Sequence, residues 1–344
     1  MRRAAPHGRA AYLALLGLGA LDAAGYGVIA PVVPEIAERT GVGPGVMGLL
    51  VTTFGLGQLA GYPLAGVGIR RLGATPILAV SLFLTAAGAV GFAAGDGLAA
   101  WFPARALQGV AAGGLWMGVV FSILERWPGE EYRRLSSILA AYSIGGVAGP
   151  ALGAVGGVAG PFLAHLGLVL AGGGALALAG TPASRPRFAS DRAALRTPGF
   201  VLASAGVLLV ALAIGVLEGP VPLHLGEELS QQEIAALYVG TSIVVGITAL
   251  ATGRAPARAG LALGAILIPV GVGAVGIADT PAAWVAALAA AAIGFGAGET
   301  GALGVLLGAV GAQRMVLAMV VWSQVWAIGY LGGPALAGGV AESL

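Results

Sequence analysis

Apolar residues run along this chain in long stretches, broken by short clusters of Arg, Pro and Gly. A helix needs about 20 mostly apolar residues to cross the hydrocarbon core of a bilayer. Six such stretches run roughly over 11–33, 45–68, 73–95, 97–122, 136–158 and 160–180. Five more follow at roughly 200–224, 233–252, 259–278, 281–309 and 315–340. The pattern predicts an all-α integral membrane protein with about eleven transmembrane helices. The longest polar interruption, Thr181–Pro198, holds four Arg and three Pro and reads as a linker. It divides the chain into an N-terminal six-helix bundle (1–180), a cytoplasmic linker (181–198) and a C-terminal bundle of five helices (199–344). The start, MRRAAPHGRA and then AYLALLGLGA, has the outline of a signal peptide. Its apolar stretch continues past Asp22 to Val33, however, which is long enough to span.

Composition agrees. Hydrophobic residues make up 58% of the chain and charged residues 9%, with mean hydropathy +0.94. A soluble domain carries about 25% charged residues, because its surface faces water. A soluble enzyme, a nucleic-acid-binding module and a disordered chain are thereby excluded. The net charge of +2 says little, but its distribution says more. All 17 basic residues are Arg. With the N-terminus inside, 15 of them fall in cytoplasmic segments, Arg39 alone falls outside, and Arg105 lies within an apolar run. That asymmetry is the positive-inside pattern, and it sets a cytoplasmic N-terminus in a multi-pass cell-membrane protein. The absence of Cys excludes disulfides and thiol chemistry, and the lack of Lys and Asn beside heavy Ala, Gly and Arg use points to a GC-rich, bacterial genome.

An internal repeat is visible. The segment Ile144–Leu152, IGGVAGPAL, matches Ile328–Leu336, IGYLGGPAL, at an offset of 184 residues. Leu21-Asp22 in the first run and Leu217-Glu218 in the seventh form a second parallel. Both suggest a duplicated bundle.

Ionisable side chains inside the hydrocarbon region are costly and are functional candidates by default. Four stand out: Asp22, Arg105, Glu218 and Glu299, on the first and fourth helices of each half. Asp22 lies about 17 Å along its helix, near mid-membrane. An unpaired buried guanidinium is expensive, so Arg105 is expected to pair with Asp22, either as a proton switch or as a static salt bridge. Gly145, Gly149 and Gly153 share one helix face and allow close backbone approach, a pattern that Gly329, Gly333 and Ala337 repeat. Pro150 and Pro334 can bend their helices in a packing or gating role. His165 and His224 are expected at the interface, and Trp116, Trp322 and Trp326 as packing, anchoring or aromatic contact surfaces. No HExxH pair, GxSxG elbow or phosphate loop occurs, so neither an enzyme nor a metal or cofactor site is expected.

These residues carry a family resemblance. Arg105-Ala106-Leu107-Gln108-Gly109 resembles the R-x-x-Q-G motif of the major facilitator superfamily. Gly145-x-x-x-Gly149-Pro150-x-x-Gly153 resembles the antiporter motif of its drug/proton exporters, and the run from Leu21 resembles the first helix of proton-coupled exporters. In the loop after the second helix, Gly66, Arg71 and Gly73 match the family's pattern. Arg70 stands at its acidic position and Ala74-Thr75 at its later basic pair. The tight turn is therefore expected to survive, whereas the usual charge lock is not. The family has twelve helices against eleven runs here, which suggests a lost or truncated last helix.

The resemblance implies a fold of two pseudo-symmetric bundles around a central site, working by alternating access. It implies a monomeric secondary transporter whose partners are protons, a small-molecule substrate and the bilayer, driven by a proton gradient with no cofactor. Export of a lipophilic, cationic or neutral molecule is expected from the acid-rich candidate set. Uptake of a sugar or organic acid is the alternative within transport, and a non-transporting receptor or degenerate protein the alternative outside it.

Overall fold

The computed structural model describes residues 6–29, 32–153, 157–179, 191–218, 221, 225, 229 and 231–343. Among the described residues twelve helices follow one another: α1 (Pro6–Gly27), α2 (Val33–Thr40), α3 (Pro44–Leu72), α4 (Ala74–Ala94), α5 (Leu98–Arg126), α6 (Glu131–Gly153), α7 (Ala159–Leu178), α8 (Pro198–Glu218), α9 (Gln231–Thr252), α10 (Ala257–Ile277), α11 (Pro281–Val310) and α12 (Met315–Ser343). Each of the eleven apolar runs corresponds to one long helix. Among the described residues, nine helices are long and apolar enough to cross a membrane. The remaining two long ones are α3 and α9, with 29 and 22 residues.

The first run departs from expectation. Its helix stops at Gly27, and the short α2 follows. This helix is amphipathic: Ile36 is buried, Glu38 and Arg39 are exposed, and Arg39 pairs with Glu35 at 2.5 Å. Gly41, at φ +67°, closes it in the left-handed conformation that costs glycine nothing. Pro residues open other helices where a missing N–H is harmless. Pro281 starts α11 after Thr280, whose hydroxyl accepts from the Ala283 N–H at 3.3 Å. Between α3 and α4 the link is the single residue Gly73, buried and at φ +92°. The expected tight turn is therefore present. Gly66 beside it is buried and Arg71 exposed, and among the described residues no acidic group pairs with Arg70 or Arg71.

The chain divides into two compact units, residues 1–128 with 141–187 and residues 129–140 with 188–344. The polar linker falls mostly outside the described residues. Its end forms a 3-10 turn, Arg192–Arg196, capped by Asp191, which accepts from the Ala193 N–H at 2.8 Å.

Within the first unit α5 is the axis. It is buried along most of its length and packs against α1, α3 and α4, while α7 covers α1 and α4. Within the second unit α11 takes the same part, packed by α8, α9 and α10, and α12 lies on α8. Small residues make this closeness possible. A Cβ at Gly109 of α5 would lie 2.0 Å from the Phe54 carbonyl oxygen of α3, and one at Gly264 of α10 would lie 2.4 Å from the Gly298 Cα of α11.

The repeated glycine motif packs the same way in both units. A Cβ at Gly145 would lie 2.0 Å from the Ala20 carbonyl oxygen, and one at Gly149 would lie 2.7 Å from that of Ala24. In the second unit, Gly329 would meet the Leu208 carbonyl at 3.0 Å and Gly333 that of Leu212 at 2.3 Å. Position 145 thus corresponds to 329, and 20 corresponds to 208. This register revises the second parallel drawn from sequence. The counterpart of Asp22 is Val210, and Glu218 lies two turns further along α8. The acidic pairs are not equivalent positions.

Candidate functional site

In the first unit, polar groups gather around the last two turns of α1. Asp22 is buried, 8% exposed, and its Oδ2 accepts a hydrogen bond from the Tyr142 hydroxyl of α6 at 2.5 Å. The Tyr142 ring stands edge-on to Trp116 of α5, with centroids 5.7 Å apart. Tyr142 precedes Gly145 by three residues and shares its face, so the close α1–α6 approach delivers the phenol to the carboxyl.

Arg105 is fully buried, and it does not pair with Asp22. Its Nη1 donates to the Gly25 carbonyl at 3.3 Å and to Gln108 Oε1 at 3.2 Å, and its Nη2 donates to the Tyr26 carbonyl at 3.1 Å. The last carbonyls of a helix lack intrahelical donors and carry the negative end of its dipole. Because α1 stops at Gly27, those carbonyls lie free inside the apolar region, and the guanidinium caps them. The Phe54 ring lies beneath it, 4.4 Å from the guanidinium carbon. This is the physical reason the expected ion pair fails: both Nη atoms find carbonyl oxygens and the plane finds an aromatic face, which leaves only Nε without a partner among the described residues. Gln108 and Gly109 of the same motif therefore act locally. Gln108 accepts from Arg105, and Gly109 admits α3.

His165 is buried in α7, with Nε2 3.3 Å from the Leu21 carbonyl. Its ring fills the space over Gly25, where a Cβ would come within 2.6 Å of Cε1. His224 lies outside the described residues. An apolar cavity of about 630 Å³ runs between α1, α6 and α7, lined by Leu21, Ala24, Gly145 and Leu168 among others. Among the described residues no charged side chain lines it.

The second unit is sparser. Glu299 lies within α11, half-buried, and no ion pair involves it among the described residues. Its neighbours Gly298 and Gly296 face α10 and α9 respectively. Glu218 is the last residue of α8, and its side chain lies outside the described set, as does that of Pro334. Gly153 and Pro150 stand in the last turns of α6, where the Pro150 ring lies over Gly27. Trp322 is buried and donates its indole N–H to the Ala203 carbonyl at 3.2 Å. It is a packing residue.

The structure thus assembles Asp22 with Tyr142 and Trp116, and Arg105 with the end of α1. Sequence reasoning missed Tyr142, although its i, i+3 spacing to Gly145 was the available signal. No group of His, Cys, Asp and Glu able to hold a metal is found among the described residues.

Apolar helices in two units built alike, with isolated ionisable groups inside them, define a multi-pass membrane protein. The sequence profile of the Major Facilitator Superfamily matches residues 15–334, and the chain belongs to that family, whose members are transporters rather than enzymes. The chain is similar to the quinolone resistance protein NorA of Staphylococcus aureus, strains Mu50 and N315, at 28% identity over 130 residues. That match covers 38% of this chain and spans about a third, 34%, of NorA's length. The crystal structure of the human organic anion transporter MFSD10 (TETRAN) shares the fold, with a TM-score of 0.79 at 16% identity over 98% of this chain and 94% of that one.

Proposed function

We propose that the protein is a proton-coupled exporter of small lipophilic molecules, cationic or neutral, acting by alternating access in a bacterial cell membrane with its N-terminus in the cytoplasm. The observation that carries this reading is the separation of Asp22 from Arg105. Arg105 has its charge met by the end of α1, so Asp22 is left with a hydrogen-bond donor and no cation. A buried carboxyl in that state is suited to exchange a proton or meet a cationic substrate, which a carboxylate locked in an ion pair is not. Tyr142 orients it, and Trp116 backs the phenol. Glu299 supplies a second acid on α11. The likeness to NorA, a quinolone resistance protein, supports export of planar aromatic compounds. The proton gradient drives the cycle, and no cofactor takes part.

The test is proton movement driven by ethidium or norfloxacin in proteoliposomes. Asp22→Asn, which keeps the size and the bond from Tyr142, is expected to abolish coupled proton flux while the protein stays folded. Undiminished flux in that variant would overturn the role given to Asp22.

A further inference from the structure

Three indole N–H groups of buried Trp residues find backbone acceptors. Trp101 donates to the Phe92 carbonyl at 3.3 Å, Trp284 to that of Ala278 at 3.0 Å and Trp322 to that of Ala203 at 3.2 Å. Trp326 on α12 departs from this pattern: its Nε1 is buried and has no hydrogen-bond partner among the described residues. The Ser204 hydroxyl on α8 is in the same condition. Leaving such a group unpaired costs about 1–3 kcal/mol, and native structures rarely tolerate it without a partner from elsewhere.

The packing register brings the two together. The Trp322 bond to Ala203 fixes one level of the α8–α12 contact, and Gly329 against Leu208 fixes the next. Trp326 stands between Trp322 and Gly329 on the same face of α12, since spacings of four and seven residues share a face. Ser204 stands between Ala203 and Leu208, on the stripe with Leu208 and Ala211 that Gly329 contacts. Both orphan groups therefore fall within one helical turn of the same contact.

The repeat shows where the acceptor would stand. At the offset of 184 residues that relates Gly145 to Gly329, Trp326 is the counterpart of Tyr142. Each unit presents a donor at this position. In the first unit it reaches Asp22, whereas in the second the corresponding residue is Val210, buried and unable to accept. The second unit thus presents the donor opposite an aliphatic side chain.

Trp326 also presents a flat surface. Its ring stacks on that of Tyr330 with centroids 5.4 Å apart and planes within 2°, and both residues are only half-buried. Parallel aromatic faces favour a further planar aromatic system. The donors are neutral, with no basic side chain on either stripe, so they suit an uncharged carbonyl oxygen better than a carboxylate.

We infer that Trp326 and Ser204 form a substrate subsite in the second unit, which takes the carbonyl oxygen of a planar aromatic molecule. The inference rests on the transport reading above and adds to it a substrate class and a point of contact. Ethidium and norfloxacin separate the contributions, since both are planar and aromatic and only norfloxacin bears carbonyl oxygens. Binding is measured by equilibrium dialysis on the purified full chain, with melting curves confirming that each variant folds. Trp326→Phe keeps a ring and removes the N–H, and Ser204→Ala removes the hydroxyl. Each is expected to weaken norfloxacin binding about 3- to 10-fold, the range of one hydrogen bond, and to change ethidium binding by less than about twofold. Wild-type affinity for norfloxacin in both variants would overturn the subsite and leave the exporter reading standing. An equal loss for both compounds would show that only ring packing matters, which overturns the hydrogen-bonding role. A wild-type protein that binds neither compound overturns the substrate class itself, while Asp22→Asn tests the coupling separately.

Discussion

A single methyl group added at Gly145 should disturb both the packing of the first unit and its chemistry. The new Cβ would lie 2.0 Å from the Ala20 carbonyl oxygen and 2.7 Å from the Ala23 Cβ. An ordinary carbon–oxygen contact is about 3.3 Å or more, so α6 must withdraw from α1 by roughly 1.3 Å along that line. The neighbouring Tyr142–Asp22 bond is 2.5 Å long. The same withdrawal carries it to about 3.8 Å, beyond the range of an O–H···O hydrogen bond. Overpacking of this kind costs about 1–3 kcal/mol, which for a chain of this size corresponds to a lowering of the melting midpoint by about 1–4 °C. The assay is thermal melting in detergent beside substrate-driven proton flux in proteoliposomes. Gly17→Ala on α1 is the control, because nothing lies within 4 Å of a Cβ there. It should leave both measurements unchanged or raise the midpoint slightly through helix propensity. A Gly145→Ala variant that melts and couples like the wild type would refute the reasoning, since α1 and α6 would then not need this closeness.

Two further outcomes are expected. Arg105→Lys keeps the charge but replaces a planar fork with a point donor, which cannot bridge the Gly25 and Tyr26 carbonyls and stack on Phe54 together. It should cost about 1.5–3 kcal/mol in melting experiments, and an unchanged midpoint would remove Arg105 as the cap of α1. In the loop before α6, Glu130 accepts from Arg133 at 2.7 Å and from Arg134 at 3.0 Å, and its carboxyl is held below the usual range, chiefly by the Arg133 bond and then by the charge of Arg134. A carboxyl titrating lower when folded contributes stability above its ordinary value of 4.5 and loses it as the pH falls below that. Melting midpoints should therefore drop on acidification through this window, and less steeply in Glu130→Gln. Identical slopes would show that the cluster contributes nothing.

Much of this was legible in the chain itself. Eleven apolar runs became eleven long helices, because a bilayer demands unbroken apolar length and satisfies the backbone only within the helix. The Gly145–Gly149 and Gly329–Gly333 spacings foretold close packing, since residues four apart share a face. Asp22, Arg105 and Glu299 were visible because a charge amid apolar residues has no cheap explanation. Three things depended on the third dimension. Arg105 was expected to seek an acid, but the early end of α1 exposes carbonyl oxygens that answer the guanidinium better, and a helix end inside an apolar run leaves no mark in composition. Tyr142 and Asp22 are 120 residues apart and meet through the α1–α6 register. The equivalence of Asp22 with Val210, rather than of the two acidic dipeptides, came from which carbonyl each glycine touches. Sequence by itself determined which segments enter the membrane and which residues are costly there, because hydrophobicity and charge are local properties. The partners of those residues were decided only by tertiary packing, because helix ends, crossing points and register are properties of pairs.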